Sequence, residues 1–463
     1  MTGRVFFDHA IHTMSRLWLK NPLAILAEDA SGGIVIDGNE ISELIPSGKT
    51  PSVPCTEFDA SSHVVLPGLI NTHHHFYQTL TRALQPALGK ELFDWLKVLY
   101  PVWSGLDPEG LTVATELALT ELLLSGCTTT SDHHYLYPKG LEDAVDIQVG
   151  VAAQIGMRVT LTRGSMDLSQ KDGGLPPDSV VQKTDLILAD SERVVKRFHQ
   201  CGPGAMVQIA LAPCSPFSVT QDLMRETAKL ASQLGVRLHT HLGETQDEND
   251  FCVAKLGMHP LDYLEDCGWL GRHTWLAHGI HFNNDEIDRL GKAGTAVTHC
   301  PHSNMTLASG LCPACALQNA GSAVGLGVDG SASNDASNAI EEVRAAMMLQ
   351  RLREGAGGFS HLDAIHLATE GSAKCLGRDD IGSIGPGKQA DLALFQLNEL
   401  RHSGYHDPIA ALVLCGASRA DRVMIGGEWK VVDGRAPHID EQDLMHRHSA
   451  AARKLRNDIG INF

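Results

Sequence analysis

The sequence has no long apolar run, and no segment approaches 18 uninterrupted apolar residues. A helix needs about 20 such residues to cross a bilayer, so we expect no membrane span. Residues 1–15 include Asp8 and two histidines and lack the apolar stretch of a signal peptide. The 11 cysteines are scattered and odd in number, which favours a reducing compartment over a disulfide framework. We therefore expect a cytoplasmic protein.

Basic residues are also scarce. The chain has 37 Lys and Arg against 55 Asp and Glu, which gives a formal net charge of -18 at pH 7. Such a charge repels phosphate backbones, so we expect no nucleic acid as a main partner. A neutral heterocycle, such as a free base, stays allowed as a small-molecule partner.

The length and composition are those of an α/β enzyme. A chain of 463 residues with 43% hydrophobic residues is long enough for one large core and a smaller second unit. The 20% of charged residues and the 45 glycines fit a soluble, loop-rich protein.

Both ends of the chain are rich in short β-like segments. Residues 17–64 contain several, with a turn at Asp37-Gly38, and residues 381–397 and 423–435 show short strands broken by Gly, Pro and Asp-Gly. The pattern predicts a small β-sandwich domain built from residues 1–65 and 379–440. For residues 441–463 the sequence predicts a helical tail that lies at the surface as a charged helix. We assign no chemistry to it.

The middle of the chain, residues 66–378, alternates strands and helices. Helical patterns separate the strands, and several of them stop at a glycine. The predicted strands are 64–75, 128–134, 158–164, 206–214, 237–244, 274–281, 295–304 and 323–331. Eight parallel strands alternating with helices predict a (β/α)8 TIM-type barrel, a fold that carries its chemistry at the C-terminal ends of the strands.

The first predicted barrel strand runs into a histidine cluster, in the segment VVLPGLINTHHHFYQ over residues 64–78. Side chains two positions apart in a strand lie on the same face of the sheet. His73 and His75 can therefore bind one metal ion together, while His74 points away. Neutral imidazole is the usual nitrogen ligand for zinc. A polar loop or an expression tag is the alternative, but a tag would lie at a terminus and would not follow an apolar strand.

Other predicted strand ends supply further polar groups. The fifth ends in His239, His241 and Glu244, the sixth in His278, and the eighth in Asp329. His241 is the candidate third imidazole ligand, and we interpret His239 as a supporting or packing residue because one strand end usually gives one inward ligand. Asp329 could ligate the metal and accept a proton from its water. Glu244 could reach the substrate, and His278 could orient the water.

Two motifs admit other interpretations. Residues 325–330 (GLGVDG) spell G-x-G-x-x-G after a strand, but a dinucleotide pyrophosphate would meet the carboxylate of Asp329 there. Cys312 and Cys315 form a C-x-x-C pair, which leaves a structural zinc or a redox pair open. An ordinary loop with two thiols is the simpler interpretation.

The motifs PGLINTHHH, H-x-x-E, AHG and the strand-eight aspartate, in that order, resemble the amidohydrolase superfamily and more narrowly its branch of aromatic-amine deaminases. The resemblance spans nearly the whole chain, including residues 303–310, 368–377 and 382–395. It implies that Glu244 shuttles protons and that His278 helps to activate water. It also implies that the metal ligands are His73, His75, His241 and Asp329.

Strand four bears on the metal count. Two-metal members of this superfamily carry a carboxylated lysine or a glutamate at its end, and residues 206–217 (MVQIALAPCSPF) offer neither. The resemblance therefore implies one metal ion per chain. Zinc is the first choice for three nitrogens and one oxygen, and Fe²⁺ is the alternative.

Gln78 matches a glutamine of the guanine-type deaminases in this branch. In those enzymes the glutamine hydrogen-bonds the purine carbonyl and the ring N–H. An amide presents a donor and an acceptor side by side, which fits a lactam edge. Trp95, Tyr135, Arg163 and Cys214 lie at or near other loop or strand ends and could line the pocket, although packing is the favoured interpretation for each.

At finer grain, LWLKNPLAI, NTHHHFYQTLTRA, SDHHYLYP and LAPCSPFSVT resemble segments of the 8-oxoguanine deaminases. This resemblance implies that metal-bound hydroxide attacks C2 of the base while Glu244 protonates N3, with urate and ammonia as products. Guanine, isoxanthopterin and hydroxy-s-triazines are alternative substrates. A cyclic-amide hydrolase and a catalytically inactive metal-binding barrel are alternatives from other classes. Barrels of this kind often pair, so we expect a homo-oligomer.

Overall fold

The computed structural model describes residues 16–457. The interpretation of residues 1–15 and the end of the predicted tail, residues 458–463, lie outside the described residues. The strands are β1 Leu17–Lys20, β2 Ala24–Ile25, β3 Gly33–Asp37, β4 Glu40–Ile45, β5 Thr56–Asp59, β6 His63–Pro67, β7 Leu69–Asn71, β8 Cys127–His134, β9 Arg158–Ser165, β10 Val207–Pro213, β11 Leu238–Leu242, β12 Thr274–His278, β13 Ala296–His299, β14 Val324–Leu326, β15 Leu392–Gln396, β16 Arg422–Ile425 and β17 Glu428–Val431.

Helices fill most of the connections between the barrel strands. The α-helices are α1 Leu92–Trp103, α2 Pro108–Leu124, α3 Ala144–Ile155, α4 Thr184–Phe198, α5 Gln221–Leu234, α6 Gln246–Phe251, α7 Pro260–Asp266, α8 Asn284–Ala293, α9 Pro301–Thr306, α10 Ala314–Ala320, α11 Ala339–Glu354, α12 His361–His366, α13 Ser372–Cys375, α14 Pro408–Leu414 and α15 Glu441–Asn457. Among residues 16–457, no helix combines the length and the apolar character that a transmembrane span requires.

Strands β7 to β14 close into a barrel in sequence order, and every neighbouring pair in it is parallel. The closing contact pairs Leu326 of β14 with Asn71 of β7. The predicted (β/α)8 barrel is confirmed. Its parallel strands place their C-terminal ends at one face, where the polar residues of the sequence come together.

Local sequence signals set the ends of the barrel helices. Asn283 and Glu286 form a reciprocal capping box at the start of α8, which satisfies two backbone N–H groups that the helix leaves unpaired. Helices α5 and α8 both end at a glycine with positive φ, Gly235 and Gly294. Glycine adopts this left-handed conformation without the steric clash that a Cβ would cause. The prediction from the sequence that these helices end at glycines is therefore confirmed.

The first predicted strand, 64–75, is divided into two in the structure. β6 pairs antiparallel with β15 outside the barrel, whereas β7 pairs with β8 inside it. The break falls at Gly68, where an added Cβ would lie 2.1 Å from the hydroxyl oxygen of Thr128. The prediction of one continuous strand was wrong because the chain crosses from one domain to the other at this glycine.

The seventh predicted strand, 295–304, was too long. β13 ends at His299, and residues 301–306 form helix α9. Pro301 stands at the first helical position, where its missing N–H costs no hydrogen bond and its fixed φ suits the helix.

Two sheets built from both chain ends form a separate small domain, as predicted. One has the strand order β4-β3-β1-β5 and the other the order β17-β16-β15-β6-β2. Residues of both sheets share one apolar cluster, which includes Leu19, Ile34, Val65 and Leu392. The limits at residues 65, 378 and 440 stay predictions.

The C-terminal helix α15 packs against α2 instead of standing free at the surface. Leu444 and Leu455 are buried, and the guanidinium of Arg447 pairs with Glu116 of α2. His448 Nε2 lies 3.1 Å from Thr79 Oγ1, in the short 3-10 turn that follows the histidine cluster. The tail therefore supports the segment that leaves the first barrel strand.

Candidate metal centre and active site

Three imidazoles and one carboxylate converge at the C-terminal end of the barrel. His75 Nε2 lies 3.2 Å from His241 Nε2 and 3.2 Å from Asp329 Oδ1. His73 Nε2 lies 3.2 Å from the same carboxylate oxygen. The structure thus brings together His73 and His75 after β7, His241 on β11 and Asp329 after β14.

The second nitrogen of each imidazole determines which nitrogen faces the centre. His75 Nδ1–H donates to the carbonyl oxygen of His133 over 2.8 Å, and His241 Nδ1–H donates to the carbonyl oxygen of Cys214 over 2.8 Å. When each ring is neutral, its one proton lies on Nδ1 and its Nε2 carries a lone pair that faces the centre. Two lone pairs that face each other at 3.2 Å repel unless a cation lies between them.

His73 is oriented by another histidine. Its Nδ1 lies 2.8 Å from His239 Nε2, and His239 Nδ1–H donates to the carbonyl oxygen of Trp275 over 2.8 Å. His239 can therefore only accept at Nε2, so His73 donates from Nδ1 and presents an unprotonated Nε2. His73 Nε2 is buried and has no hydrogen-bond partner among the described residues. His239 has the supporting position that the sequence predicted.

The donor set fits a tetrahedral metal ion. Zinc ligands lie about 2.0–2.2 Å from the ion, so neighbouring ligand atoms in a tetrahedron are about 3.3 Å apart. The three contacts of 3.2 Å match that spacing. Burial lowers the pKa of the His241 imidazole to about 3, which keeps it neutral and able to bind a cation.

A fourth histidine lies beside the three, and the sequence analysis missed it. His133, on β8, stacks on His241 with ring centroids 4.7 Å apart, and its Nε2–H donates to the carbonyl oxygen of Ala212 over 3.0 Å. Its Nδ1 has no hydrogen-bond partner among the described residues. With His73, His75 and His241 it forms a group that could hold a metal ion, since one nitrogen of each ring lies within 4.8 Å of the others. The signal in the sequence was the histidine pair that ends SDHH.

Asp329 is held by both of its carboxylate oxygens. Oδ1, which faces His73 and His75, accepts a hydrogen bond from the backbone N–H of Gly330 over 2.7 Å. Oδ2 accepts one from the hydroxyl of Ser303 over 2.5 Å. Burial by itself would raise the pKa of Asp329, but its close contacts with His73 and His75 outweigh burial and hold the pKa well below its ordinary value. Asp329 is therefore ionised.

The glycines of residues 325–330 serve packing at this site. A Cβ on Gly330 would lie 1.9 Å from Gln78 Oε1, and a Cβ on Gly327 would lie 2.8 Å from the Cβ of His73. Both glycines allow the strand-eight loop to approach the metal centre closely. This explains the G-x-G-x-x-G spacing without a dinucleotide.

Glu244 lies in the same site, in surroundings that favour its protonated form. Burial raises its pKa well above the ordinary value, and the negative charges of Asp329 and Glu248 raise it further. Glu248 holds the backbone in place, because its carboxylate accepts from the N–H groups of Gly243 and Glu244 over 2.9 Å each. A buried neutral carboxyl is a proton donor.

His278 lies between the two carboxyl groups. Its Nε2 is 3.6 Å from Glu244 Oε2 and 3.9 Å from Asp329 Oδ2, and its Nδ1 is 3.1 Å from the side-chain oxygen of Asn304. The residue adopts a φ of 72°, which a non-glycine residue rarely takes. Since burial lowers the pKa of His278, its ring is neutral.

A cavity opens above these groups. Of the residues that the sequence analysis proposed for the pocket, Gln78, Trp95, Tyr135 and Cys214 line it. The remaining lining residues are His75, Leu92, Leu96, Tyr100, Phe217, His241, Glu244, His278, Leu307, Asp329 and Ser333. The walls are mostly apolar, and the polar groups gather at the barrel end, as in sites for planar heterocycles.

Arg163 does not line this cavity. Its guanidinium pairs with Asp190 over 2.6 Å, donates to Gln182 over 2.8 Å and stacks 3.7 Å from the ring centroid of Tyr137. These contacts engage the guanidinium with the loop after β8 and with the loop and helix α4 that follow β9, which gives Arg163 a packing position.

The end of β10 and the C-x-x-C pair add no further metal ligands. β10 ends at Pro213 and continues into Cys214, with no lysine or carboxylate there. Within residues 16–457, neither group of residues with metal-binding geometry includes Cys312 or Cys315. Cys312 is buried and Cys315 partly buried at the start of α10, as expected for an ordinary loop.

With this geometry in view, residues 64–430 match the sequence model of the amidohydrolase family. The chain belongs to the amidohydrolase family, as the sequence motifs indicated, and is a hydrolase of that family. It is 61% identical to an 8-oxoguanine deaminase from Pseudomonas aeruginosa, over 96% of this chain and 99% of that protein. It is also 39% identical to a hydroxydechloroatrazine ethylaminohydrolase from Pseudomonas sp. (strain ADP), over 84% of this chain and 82% of that protein.

A solved structure shows the same architecture. The atrazine chlorohydrolase from Arthrobacter aurescens TC1, in complex with zinc, superposes with a TM-score of 0.89 and 29% identity. The superposition covers 94% of this chain and 100% of that one. The barrel and the small domain therefore both belong to the family fold.

Proposed function

We propose that this enzyme deaminates 8-oxoguanine by hydrolysis and releases urate and ammonia. The observation that carries the proposal is the 61% identity to an 8-oxoguanine deaminase over almost the full length of both chains. The site chemistry agrees with it, because a histidine-rich centre, a protonated Glu244 and an ionised Asp329 lie together in one cavity.

We propose that one metal ion is held by His73, His75, His241 and Asp329, with zinc as the first choice and Fe²⁺ as the alternative. When bound, such an ion lowers the pKa of a coordinated water toward neutrality. The absence of a lysine or carboxylate at the end of β10 supports one ion over two. His133 would then pack beside the ligands.

Three side chains take part in the reaction, and two of them transfer protons. Glu244 donates its proton to N3 of the base, which makes C2 electrophilic. Asp329 Oδ2 takes a proton from the attacking water, and the new C2–O bond forms as the C2–N3 π electrons move to N3. Asp329 then passes the proton to the amino group, which leaves as ammonia when the C2–N bond breaks. At the same time the C2 hydroxyl loses its remaining proton to Glu244, so that the C2 carbonyl of urate forms and the acid is restored. His278 orients the water and stabilises the developing charge on oxygen.

We propose that Gln78 recognises the lactam edge of the base. Its side-chain oxygen is buried and has no hydrogen-bond partner among the described residues, so it is available to accept from the ring N1–H. The amide nitrogen can donate to the C6 carbonyl at the same time. Trp95, Tyr135 and Cys214 would contact the faces and the remaining edge of the ring.

The proposal also covers the location of the enzyme in the cell and its oligomeric state. All 11 cysteines are free thiols in the structure, which supports a cytoplasmic location. We also propose that the enzyme acts as a homo-oligomer. Sedimentation at micromolar concentration measures this, and a single species of monomer mass would refute it.

Ammonia release from four bases tests the substrate: 8-oxoguanine, guanine, isoxanthopterin and hydroxyatrazine. We expect the highest kcat/KM with 8-oxoguanine and urate as its product by absorbance. No turnover of 8-oxoguanine by metal-loaded enzyme would refute the proposal, and a higher kcat/KM with another base would reassign the substrate within the branch.

A further inference from the structure

Tyr100 carries a hydroxyl that the fold leaves unpaired. The residue lies on α1, is 1% exposed, and its Oη has no hydrogen-bond partner among the described residues. Native proteins pair nearly all buried polar groups, because an unpaired one costs free energy relative to water. Tyr100 also lines the cavity above the metal centre. A ligand in that cavity is the natural partner for the hydroxyl.

The cavity has two sides with different chemistry. The barrel side carries the metal-binding groups, Glu244 and His278, all from strand ends. The other side is formed by α1, which contributes Leu92, Trp95, Leu96 and Tyr100. This second side is apolar apart from the polar ends of its two larger aromatic residues.

Neighbouring polar groups on the cavity wall are already engaged. Trp95 Nε1–H donates to the carbonyl oxygen of Ala332 over 3.3 Å. Ser333 Oγ lies 3.2 Å from the carbonyl oxygen of Gly330 and 2.9 Å from Ser303 Oγ, both within hydrogen-bond distance. Among the polar groups that α1 contributes to the cavity wall, the Tyr100 hydroxyl is thus the one without a hydrogen-bond partner in the described residues.

We propose that Tyr100 is a specificity-determining residue, whose hydroxyl hydrogen-bonds the five-membered-ring edge of the bound purine. This inference rests on the proposed function. With C2 at the metal centre, N3 at Glu244 and the lactam edge at Gln78, the long axis of the purine runs away from the barrel. Its C8 edge then faces α1.

The C8 edge distinguishes 8-oxoguanine from guanine. 8-Oxoguanine carries a carbonyl at C8, flanked by two ring N–H groups, whereas guanine carries C8–H. A phenol hydroxyl can donate to the C8 carbonyl of 8-oxoguanine, whereas the C8–H of guanine offers no acceptor at that position. A site that pairs a buried polar group with its ligand rejects analogues that leave the group unpaired. Tyr100 therefore selects purines that are oxidised at C8.

Binding of urate and xanthine to the metal-loaded enzyme tests the inference. Both lack the 2-amino group and are not turned over, and they differ by the C8 oxo group and the proton that comes with it. We expect the parent enzyme to bind urate more tightly than xanthine. Tyr100→Phe should weaken urate binding about tenfold or more and change xanthine binding by less than about twofold.

The melting temperature of the unliganded protein provides a second readout. Because the Tyr100 hydroxyl has no partner, Tyr100→Phe should not lower it. Tyr137→Phe is a matched control, since the Tyr137 hydroxyl is also buried and unpaired but does not line the cavity. We expect it to leave both affinities unchanged.

Equal losses of urate and xanthine affinity in Tyr100→Phe, or no loss of either, would overturn the role assigned to Tyr100. Failure of the parent enzyme to turn over 8-oxoguanine would instead overturn the proposed function. The two failures are distinguishable because the binding comparison needs no turnover.

Discussion

His73 Nδ1–H donates a hydrogen bond of 2.8 Å to His239 Nε2, and this contact orients one of the proposed metal ligands. The bond has one direction only, because His239 uses its other nitrogen to donate to the carbonyl oxygen of Trp275. Burial holds the pKa of His239 well below its ordinary value, so the ring is neutral and can accept. Through this relay, His239, the first histidine of strand β11, fixes the lone pair of His73 that faces Asp329.

If this relay orients His73, a substitution of His239 should lower the affinity for the metal ion even though every proposed metal ligand is kept. His239→Phe keeps a flat ring in the same place but removes the acceptor for His73 Nδ1. We expect metal affinity to fall about 10- to 100-fold, as when other supports of metal ligands are removed. Competition with a chromogenic chelator measures it. The exposed His406 provides the control His406→Phe, and unchanged affinity in His239→Phe would contradict the relay.

Substitution of Ser303 should affect the catalytic rate constant kcat separately from metal binding. Its hydroxyl donates to Asp329 Oδ2, the oxygen that we assign to proton transfer. Ser303→Ala should lower kcat about tenfold and leave KM within about twofold, because the lost bond positions Asp329 and does not touch the base. Ser309→Ala is the control, since the Ser309 hydroxyl is buried without a partner. A change in KM alone would contradict this role.

Glu244→Gln tests the proton donor. The amide keeps the shape of the side chain but cannot supply the proton that N3 needs. We expect kcat to fall at least about 100-fold while metal content stays unchanged. The exposed Glu226 on α5 provides the control Glu226→Gln. A Glu244→Gln enzyme with parental activity would restore the alternative of an inactive metal-binding barrel.

His448 predicts a pH dependence of stability. Burial lowers the pKa of its imidazole to about 4 in the folded protein, below its ordinary value of 6.5. The unfolded chain then binds more protons than the folded chain between pH 6.5 and pH 4, so the stability that is present above pH 6.5 is lost as the pH falls.

We therefore expect the free energy of unfolding to drop more from pH 7 to pH 5 in the parent than in His448→Gln, by about 1 kcal/mol. Urea unfolding at the two pH values measures this difference. The exposed His446, two residues earlier on the same helix, provides the control His446→Gln. Equal pH dependence in parent and His448→Gln would show that the His448 contact with Thr79 is not coupled to folding.

Much of the fold and the metal centre was predictable from the sequence, because both arise from local patterns. The H-x-H after an apolar strand gave His73 and His75, and strand-end polar residues gave His241 and Asp329. The place where the chain leaves the small domain was not predictable. It depends on the packing of Gly68 against Thr128, which is 60 residues away in the chain.

The cavity wall was also hidden in the sequence. Tyr100 lies in a helix with no motif, and Ser303 reaches Asp329 only because β13 ends early and α9 turns toward the centre. Arg163 follows a strand as a pocket residue would, yet its partners Asp190 and Gln182 come from the following loop and helix. Such contacts depend on tertiary structure, which no local pattern encodes.

Anomalous diffraction from crystals of the enzyme, recorded at the absorption edge of its metal, tests the central claim most directly. We predict a single peak per chain, within about 2.2 Å of Nε2 of His73, His75 and His241 and of Oδ1 of Asp329. A second peak within about 4 Å of the first, or one peak bound by His133 in place of Asp329, would contradict the account.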